Sequence, residues 1–424
     1  MKRTAVFVTT LLCLLATAAH AQTLPTAKPE DVGMSSERLA RIAARLRTDA
    51  EKGVIPGSVL LVARNGRVAM FEASGLRDPQ TKAPMTKDAI FRIYSMSKPI
   101  TSVSAMLLFE EGKLTLDQPV SRYIPALGKL KVGVEKTDAA GSKTLELVDS
   151  RRDMSIQDLL RHTSGLTYGF FGDSLVKKEY QAANPTGDYP TNAEMVERLA
   201  KLPLAYQPGT TWDYSYSTDV LGRLIEVVGG TTLYQFQKER LLDPLGMKDT
   251  MFYVTDPARQ ARIAEPFKDD RSIGVGAEFN DPRVVQKWES GGGGTVSTAS
   301  DYLRFAEMLR SGGKLGSAEV LGRGTVALVT ADHLPASFNN MIADKMDPAA
   351  TGYGFGLGVA VRRQDGIAAM AGSAGDFYWS GVYGTYFWVD PKEQLTVVFM
   401  AAAPGLIRLR YRQMMRNLVY QTLT

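Results

Sequence analysis

Ser95 and Lys98 lie three residues apart, between a strand-like run and a helix-like run. A serine hydroxyl is a weak nucleophile until a base takes its proton. Because residues three apart lie on one face of a helix, Lys98 can be that base. If Ser95 opens the helix, its Oγ also lies near the positive end of the helix dipole. The spacing therefore predicts a serine that is activated without any histidine.

The same Ser-x-x-Lys spacing occurs twice more, and the surrounding sequence separates the three matches. Ser174 and Lys177 lie in a polar stretch in which we predict no helix to hold the pair. Ser311 is followed by two glycines, which is typical of a helix end and a turn. Only Ser95 precedes a long amphipathic run, residues 99–111, with apolar residues at helical spacing. The alternative that stays open is a capping serine beside a solvated lysine.

Chemistry based on histidine has little support in this sequence. Without its predicted leader, the chain has two histidines, His162 and His333, and it has no Gly-x-Ser-x-Gly motif. His162 is better explained as a structural hydrogen-bonding residue than as a base. A zinc site made of several histidines is excluded, and we expect neither a metal nor a cofactor. Lysine then remains as the base, and it needs burial or a second titratable group. Tyr214, between a turn and a helix-like run, is the candidate phenol.

The first 21 residues are typical of a secretory signal peptide. A charged start and an apolar run precede an A-x-A cleavage site at residues 19–21. We therefore expect a periplasmic or secreted protein whose mature chain begins at Gln22. Its only cysteine, Cys13, would leave with the peptide, so we expect no disulfide and no thiolate metal ligand.

The charge and hydropathy of the chain exclude some partners. The formal net charge of +5 falls to +3 when the two basic residues of the leader are subtracted, which argues against nucleic acid as a partner. No other stretch has the length of apolar sequence that a membrane span needs. The arginine-rich pattern of residues 406–423 predicts a terminal helix packed on a sheet, and a helix lying on an anionic membrane is the alternative. The sequence does not indicate an oligomeric state.

The two ends of the chain supply strands and its centre supplies helices. A helix is predicted from Ser35 or Ser36 to Glu51, followed by a hairpin about Asn65-Gly66. The predicted late strands are residues 354–362, 384–389 and 395–401. Further helices are predicted at residues 154–161, 193–202, 220–228 and 300–309. The two ends must then pair in one sheet, with an inserted helical region beside it.

This pattern predicts two lobes within one domain that extends over residues 22–424. The sheet lobe comprises about residues 35–98 and 300–424, and the helical lobe about residues 99–299. Long irregular stretches are candidates for loops that shape the site. These stretches are residues 128–150, 168–192, 262–295 and 335–352.

Several motifs, in this order along the chain, resemble those of the serine β-lactamase and penicillin-binding protein superfamily. They are Tyr94-Ser95-Met96-Ser97-Lys98-Pro99, residues 159–166, residues 208–215 and the glycine run 291–294 with the four residues after it. From about Ser35 to Met400 the chain is most similar to class C β-lactamases and to family VIII carboxylesterases. The resemblance implies an α+β fold, in which an antiparallel sheet is flanked by helices and a mainly helical domain is inserted beside it. The site would lie in the cleft between them.

The resemblance also implies a role for each matching position. Ser95 would be the acylated nucleophile, Lys98 its proton partner, and Tyr214 the second base or acid. The backbone N–H groups of Ser95 and Val382 would form the oxyanion hole, where one donor is typically worth ~100- to 1000-fold in rate.

Two departures from the pattern bear on the substrate. We place the third motif at Trp379-Ser380-Gly381, where the penicillin-recognising branch has Lys-Thr-Gly, and we expect these residues to bind substrate. A cation at Trp379 would hold a carboxylate, whereas tryptophan offers an apolar wall and one N–H donor. Tyr216 lies where many β-lactamases have asparagine, and we expect it to contact substrate as well. Both changes favour neutral or apolar acyl groups over anionic peptides.

The sequence therefore predicts an exported serine hydrolase, a β-lactamase-like carboxylesterase that cleaves small or short-chain esters. One alternative is the same machinery acting on a β-lactam or on a D-amino-acid peptide of the cell wall. A second alternative is a non-catalytic protein that binds cell-wall fragments. A small-molecule ester or amide is the expected partner in the first two cases.

Overall fold

The computed structural model of the chain describes residues 24–274, 281–338 and 341–424, so the predicted signal peptide lies outside the described residues. Within them, the strands are β1 (Gly57–Arg64), β2 (Arg67–Asp78), β3 (Ala83–Pro84), β4 (Phe91–Arg92), β5 (Lys131–Thr137), β6 (Lys143–Asp149), β7 (Val296–Ser297), β8 (Lys314–Leu315), β9 (Ala318–Glu319), β10 (Tyr353–Phe355), β11 (Ala360–Arg362), β12 (Phe377–Ser380), β13 (Tyr386–Asp390) and β14 (Leu395–Ala401).

The α-helices of the same residues lie mainly between the early and the late strands. They are α1 (Ser36–Glu51), α2 (Ser97–Glu110), α3 (Ile156–Leu160), α4 (Leu175–Ala183), α5 (Asn192–Leu199), α6 (Ser217–Gly229), α7 (Leu233–Gln237), α8 (Asp243–Leu245), α9 (Pro257–Gln260), α10 (Ala299–Arg310), α11 (Arg323–Val329), α12 (Met341–Lys345) and α13 (Ile407–Tyr420). The helices predicted before β1 and at four places in the centre are confirmed as α1, α3, α5, α6 and α10, with ends that differ by a few residues.

An eight-stranded sheet joins the two ends of the chain. Its strand order is β10-β11-β12-β13-β14-β1-β2-β3, and all neighbouring pairs are antiparallel. Ser58 of β1 lies opposite Ala401 of β14, and Arg64 lies opposite Leu395. The first strand of the chain therefore pairs with its last strand, which confirms the predicted α+β fold. The lobe boundaries at residues 98/99 and 299/300 stay a prediction.

Local backbone geometry explains the hairpin that starts this sheet. Asn65 and Gly66, between β1 and β2, have φ angles of 53° and 73°. Two consecutive residues with positive φ make the tight turn whose twist matches that of the flanking strands. The hairpin predicted about these two residues is confirmed.

Helices cover both faces of the sheet. Phe387 of β13 contacts Tyr302 of α10, with ring centroids 4.9 Å apart. Phe399 of β14 stacks on Tyr411 of α13 at 5.7 Å. Phe387 lies opposite Val398, the neighbour of Phe399, and successive residues of a strand point to opposite faces. The helices α10 and α13 therefore lie on opposite sides of the sheet.

The helix that follows Ser95 is buried all round, whereas the sequence of residues 99–111 predicts an amphipathic one. Every residue of α2 from Ser97 to Leu108 is buried. Two of its hydroxyl groups donate to carbonyl groups, Thr101 Oγ1 to Gly291 at 2.8 Å and Ser104 Oγ to Ile100 at 2.8 Å, whereas the buried Ser102 Oγ has no partner among the described residues. The apolar positions are visible in the sequence, but serine and threonine conceal the burial of the other face.

Two further predictions about secondary structure were wrong. The β5–β6 hairpin lies in a stretch that we expected to be irregular; most of its residues are exposed, so it lacks a hydrophobic period. Charge pairs join its strands instead, for example Lys143 with Glu135 at 3.1 Å. Residues 354–362, predicted as one strand, belong to the β10–β11 hairpin, which turns at Gly358, with φ of 96°.

The prediction of no helix after Ser174 was also wrong. Ser174 caps α4, and its Oγ accepts a hydrogen bond from the backbone N–H of Lys177 at 3.2 Å. The side chain of Lys177 forms an ion pair with Asp213 at 3.4 Å. This second Ser-x-x-Lys match is therefore a capping serine beside a paired lysine.

The last helix packs on the sheet, as the preferred interpretation of residues 406–423 predicted. Tyr411, Met415 and Val419 of α13 are buried. Of the helices in the described part of the chain, none combines the length and the apolar character that crossing a membrane requires.

Candidate active site

Ser95 lies on a strained turn at the start of α2. It is the middle residue of a 3₁₀ turn, Tyr94–Met96, that leads into the helix. Tyr94 has φ of 44°, a left-handed conformation that costs a non-glycine residue free energy and that is frequent at functional sites. The ring of Tyr94 stacks on Tyr383 at 4.6 Å, which holds this conformation. The turn leaves Ser95 partly exposed while its neighbours are buried.

Lys98, in the first turn of α2, directs its amine at Ser95. The side chain is 1% exposed, and its Nζ lies 3.4 Å from Ser95 Oγ. The same Nζ donates to the carbonyl oxygen of Gly292 at 2.7 Å and to the hydroxyl of Tyr168 at 3.3 Å. A neutral amine has two N–H groups and one lone pair. With two oxygens to receive the N–H groups, the lone pair can face the serine.

The ring of Tyr214 covers the amine of Lys98. The ring centroid is 4.5 Å from Lys98 Nζ, and the side chain is 5% exposed. The Tyr214 hydroxyl accepts a hydrogen bond from Trp379 Nε1 at 3.3 Å. The three predicted catalytic side chains are therefore together in one site. The phenol that bonds to Lys98, however, is that of Tyr168, which the sequence did not single out.

The predicted third motif lies at the free end of β12. β11 pairs with β12 only at Phe377 and Tyr378, so Trp379 and Ser380 extend past it and pair only with β13. Trp379 is buried at 3% exposure and contributes its indole N–H to the site.

Gly381 brings this strand end against the turn of Ser95. A Cβ atom at Gly381 would lie 2.3 Å from the carbonyl oxygen of Ile93, which is closer than real atoms approach. Thr385 Oγ1 donates to the same carbonyl at 3.3 Å. Val382 follows Gly381 in a turn, so its peptide adjoins the segment that carries Ser95. The oxyanion hole of Ser95 and Val382 stays a prediction that this arrangement permits.

The site contains three residues that sequence reasoning missed: Tyr168, Asp219 and Gly292. Gly292 was interpreted as permissive backbone, but its carbonyl is the nearest acceptor of the Lys98 amine. Asp219 is 2% exposed, and its Oδ1 accepts from Ser290 Oγ at 2.5 Å and from the Gly292 N–H at 3.1 Å. The available signal was an aspartate in the first turn of the helix that follows Tyr214, five residues after it.

Burial and charge perturb the titratable groups around Lys98. Burial raises the pKa of Asp219, although the ammonium of Lys98 and the two hydrogen bonds oppose this shift. Burial, with the carboxylate of Asp219 nearby, raises the pKa of Tyr168 well above its usual value. These groups therefore form a water-poor environment that Lys98 shares with one carboxylate.

His162 is a neutral structural residue, as its sequence context predicted. It is 1% exposed, and burial, together with the charge of Lys98, lowers its pKa well below the usual value. Its Nδ1 lies 3.3 Å from Ser215 Oγ, and its carbonyl oxygen accepts from the Asp213 N–H at 2.9 Å. These bonds hold the segment that carries Tyr214. No cluster of metal-ligating side chains occurs in residues 24–274, 281–338 and 341–424.

Tyr216 lies behind Tyr168 rather than on open surface. Its ring meets that of Tyr168 edge to face at 4.5 Å, and it is 8% exposed. Burial raises its pKa to about 12. Its predicted contact with substrate stays a prediction, while its packing supports Tyr168.

Tyr214 also lines a cavity of about 530 Å³, whose lining does not include Ser95 or Lys98. Phe171 and Tyr206 supply aromatic walls, and Lys177 and Lys345 both contact the carboxylate of Asp213, at 3.4 and 3.1 Å. The cavity therefore combines an apolar lining with ion pairs that are already formed.

Comparison with known proteins assigns the fold to a family. A family model described as Beta-lactamase matches residues 42–416. The chain belongs to the beta-lactamase family. An uncharacterized protein of Mycobacterium tuberculosis is 36% identical over 362 residues, which cover 84% of this chain and 88% of that protein. Esterase EstB of Burkholderia gladioli is 30% identical over 386 residues, covering 85% of this chain and 90% of EstB.

Solved structures share this fold. EstCE1, described as a hydrolase with promiscuous acyltransferase activity, superimposes with a TM-score of 0.74 at 30% identity, covering 91% of this chain and 99% of that chain. Simvastatin synthase (LovD) of Aspergillus terreus has a TM-score of 0.75 at 22% identity, covering 91% of this chain and 98% of LovD, and so supports the fold alone. The esterases and acyltransferases among these relatives identify the chain as a serine hydrolase of the β-lactamase-like fold.

Proposed function

We propose that this chain is a carboxylesterase that cleaves small or short-chain esters through an acyl-enzyme on Ser95. The observation that carries the proposal is the amine of Lys98, buried and 3.4 Å from Ser95 Oγ, with oxygens of Gly292 and Tyr168 to receive its N–H groups. The similarity to EstB, which is named an esterase, supports the choice of ester over amide.

Each step of the reaction has a group in this arrangement. Ser95 Oγ bonds to the ester carbonyl carbon while its proton passes to Lys98, and the N–H groups of Ser95 and Val382 receive the carbonyl oxygen. The C–O bond to the alcohol then breaks, and the alcohol oxygen takes a proton from the Lys98–Tyr214 pair. Water attacks the acyl group in the same way, releases the acid and restores the serine hydroxyl.

The lining of the site favours uncharged acyl groups. Trp379 occupies the position where a cation would hold a carboxylate, and its N–H is already donated to Tyr214. Phe170, which is 65% exposed, stacks on Tyr168 at 4.7 Å and adds apolar surface. A β-lactam or a D-amino-acid peptide carries a carboxylate that this wall does not pair, so we rank those substrates second.

Transfer of the acyl group to an alcohol is a further candidate activity. EstCE1 is described as having promiscuous acyltransferase activity, and an Acyltransferase mokF of Monascus pilosus is 29% identical over 367 residues. An apolar site lowers the local concentration of water, which favours an alcohol as the second nucleophile.

The test is a panel of substrates offered to the purified mature protein. We expect hydrolysis of p-nitrophenyl acetate and butyrate, weaker turnover of nitrocefin and of a D-alanyl peptide, and loss of all activity in Ser95→Ala. Ser311→Ala is the matched control, because Ser311 begins another Ser-x-x-Lys match and is exposed at the end of α10. Ester hydrolysis that persists in Ser95→Ala would refute the mechanism, and faster turnover of nitrocefin than of esters would favour the β-lactamase alternative.

A reagent that reacts with activated serines separates the enzyme from the non-catalytic alternative. We expect a fluorophosphonate to label the wild-type protein at Ser95, as located by peptide mass spectrometry. A folded protein that neither reacts with this reagent nor turns over any member of the panel would instead support the cell-wall-fragment binding protein.

We also propose that the protein is exported to the periplasm or beyond, through the leader of residues 1–21. Fractionation of cells that express the full chain, with N-terminal sequencing of the product, tests this proposal. A mature chain that begins at Gln22 is expected, and an uncleaved product retained in the cytoplasm would contradict it.

A further inference from the structure

Asp219 is a buried carboxylate that the reaction steps above do not use. It lies in the first turn of α6, five residues after Tyr214, and is 2% exposed. Burying a carboxylate costs free energy unless hydrogen bonds or an opposite charge compensate for it. Asp219 has both, because it accepts from Ser290 Oγ and the Gly292 N–H and interacts with the ammonium of Lys98.

One peptide group links Asp219 to the amine of Lys98. The N–H of Gly292 donates to Asp219 Oδ1 at 3.1 Å, and the carbonyl of Gly292 accepts from Lys98 Nζ at 2.7 Å. A Cβ atom at Gly292 would lie 2.5 Å from Asp219 Oδ2, so only glycine permits this approach. Asp219 therefore determines where the strongest acceptor of the Lys98 amine lies.

A second connection passes through Tyr168. Its hydroxyl lies 3.3 Å from Lys98 Nζ, and burial, together with the nearby carboxyl of Asp219, raises the pKa of this phenol. The other titratable groups around Lys98 are the Tyr214 ring, at 4.5 Å, and His162, which burial keeps neutral. Tyr216 packs behind Tyr168 and also interacts with Asp219. Among these groups, Asp219 supplies the negative charge.

We propose that Asp219 is a positioning residue for Lys98, which holds the amine against Ser95 through Gly292 and sets the pH at which that amine becomes a free base. This proposal rests on the proposed function, because it assigns Lys98 the role of proton acceptor for Ser95. A carboxylate near an ammonium favours the charged form of the lysine. Removal of the charge at Asp219 therefore lets Lys98 lose its proton at lower pH.

The experiment measures how fast a fluorophosphonate labels Ser95 as a function of pH, in the full mature protein. Asp219→Asn keeps an oxygen acceptor for the Gly292 N–H and removes the charge. We expect the ascending limb of the pH profile to move to lower pH by about one unit, and the plateau rate to fall by about tenfold or more. A limb at the wild-type pH, whatever the plateau rate, would show that Asp219 only ties α6 to the glycine run, and would overturn the proposal.

Two further variants keep the test decisive. If Asp219→Asn does not fold, Tyr168→Phe removes one acceptor of the Lys98 amine while leaving the carboxylate in place, and it should move the limb in the same direction by a smaller amount. An unmoved limb in Tyr168→Phe then counts against the proposal.

Asp301→Asn is the control for loss of a buried carboxylate elsewhere. Asp301, at the start of α10, accepts hydrogen bonds from the Asp249 N–H at 2.7 Å and from Thr250 at 3.0 Å. It should leave the limb unchanged.

The two proposals fail in different ways. If Ser95→Ala is labelled as fast as the wild type, the proposed function fails, and the pH profile of labelling no longer reports on Lys98. If Ser95→Ala is unlabelled while Asp219→Asn keeps the wild-type limb, the function stands and the role of Asp219 is rejected.

Discussion

The amine of Lys98 hydrogen-bonds with oxygens from three separate parts of the chain. Ser95 belongs to the turn before α2, Tyr168 to the loop after α3, and Gly292 to the glycine run before β7. Together these oxygens fix the orientation of the flexible Lys98 side chain. Holding a catalytic group in its reactive orientation contributes to the reaction rate. The reactivity of Ser95 therefore depends on groups that are up to about two hundred residues away in sequence.

Removing the hydroxyl of Tyr214 tests which phenol transfers the proton. Tyr214→Phe keeps the ring over Lys98 but removes the hydroxyl that Trp379 contacts. If this hydroxyl delivers the proton to the leaving alcohol, kcat for p-nitrophenyl butyrate should fall by about 100-fold or more, since general acid–base groups typically contribute that much. Tyr180→Phe is the control, because its buried hydroxyl has no hydrogen-bond partner among the described residues. A Tyr214→Phe enzyme with wild-type kcat would transfer the role to Tyr168.

At the scale of elements, the site depends on how closely β12 approaches the turn before α2. Trp379 and Ser380 pair with β13 alone, and the next residue touches the carbonyl of Ile93. The strand end thus pairs with the sheet on one side and lies in close contact with the turn before α2 on the other. A small displacement there would move the predicted oxyanion donor Val382 relative to Ser95.

Gly381→Ala tests this contact. The new methyl group would lie 2.3 Å from both Ile93 O and Thr385 Oγ1, so the end of β12 must shift away. Because misplacing a reacting group by an ångström costs activity steeply, kcat/KM for p-nitrophenyl butyrate should fall by about 100-fold with the fold retained in circular dichroism. Gly324→Ala is the control, since nothing lies within 4 Å of its added methyl on α11. Full activity in Gly381→Ala would contradict the close approach.

Features with a local sequence signal could be predicted, and contacts between distant segments could not. The β1–β2 hairpin and the pairing of the two chain ends were predictable, because Asn65-Gly66 and the apolar strands carry their own local signals. Ser95 and Lys98 were predictable because their spacing is local. Asp219 and the carbonyl of Gly292 were not, because a buried polar contact forms only when distant segments meet. The β5–β6 hairpin was missed for a different reason, since its exposed strands have no hydrophobic period.

At the scale of the whole molecule, one buried ion cluster fastens the far end of the sheet to the last helix. Asp376, before β12, accepts from Arg362 of β11 at 2.7 Å, from Arg416 of α13 at 2.8 Å and from Tyr353 of β10 at 2.8 Å. The charged side chains are 0% to 1% exposed. Because β10 and β11 have three residues each, their backbone pairing contributes little stability. The ion cluster therefore holds these two strands in place.

Asp376→Asn should therefore destabilise the whole fold. Removing one partner of a buried ion pair leaves two guanidinium groups without a compensating charge, which typically costs about 3–5 kcal/mol. The measurement is the free energy of unfolding in urea. Asp365→Asn is the control, because Asp365 pairs with Lys392 at 3.7 Å on the surface, with 59% of its side chain exposed. Its loss should change stability by less than about 1 kcal/mol. Equal stability of the two variants would contradict a structural role for the cluster.

The pairing of β1 with β14 also constrains the order of folding. Ser58 and Ala401, which lie opposite each other, are separated by most of the chain, so the inner strand of the sheet has no neighbour on one side until synthesis is nearly complete. Contacts of such high sequence separation form slowly, and an unpaired strand edge invites association with other chains. One edge of β1 in a nascent chain of this protein is therefore open to pairing with other chains until β14 has been synthesised.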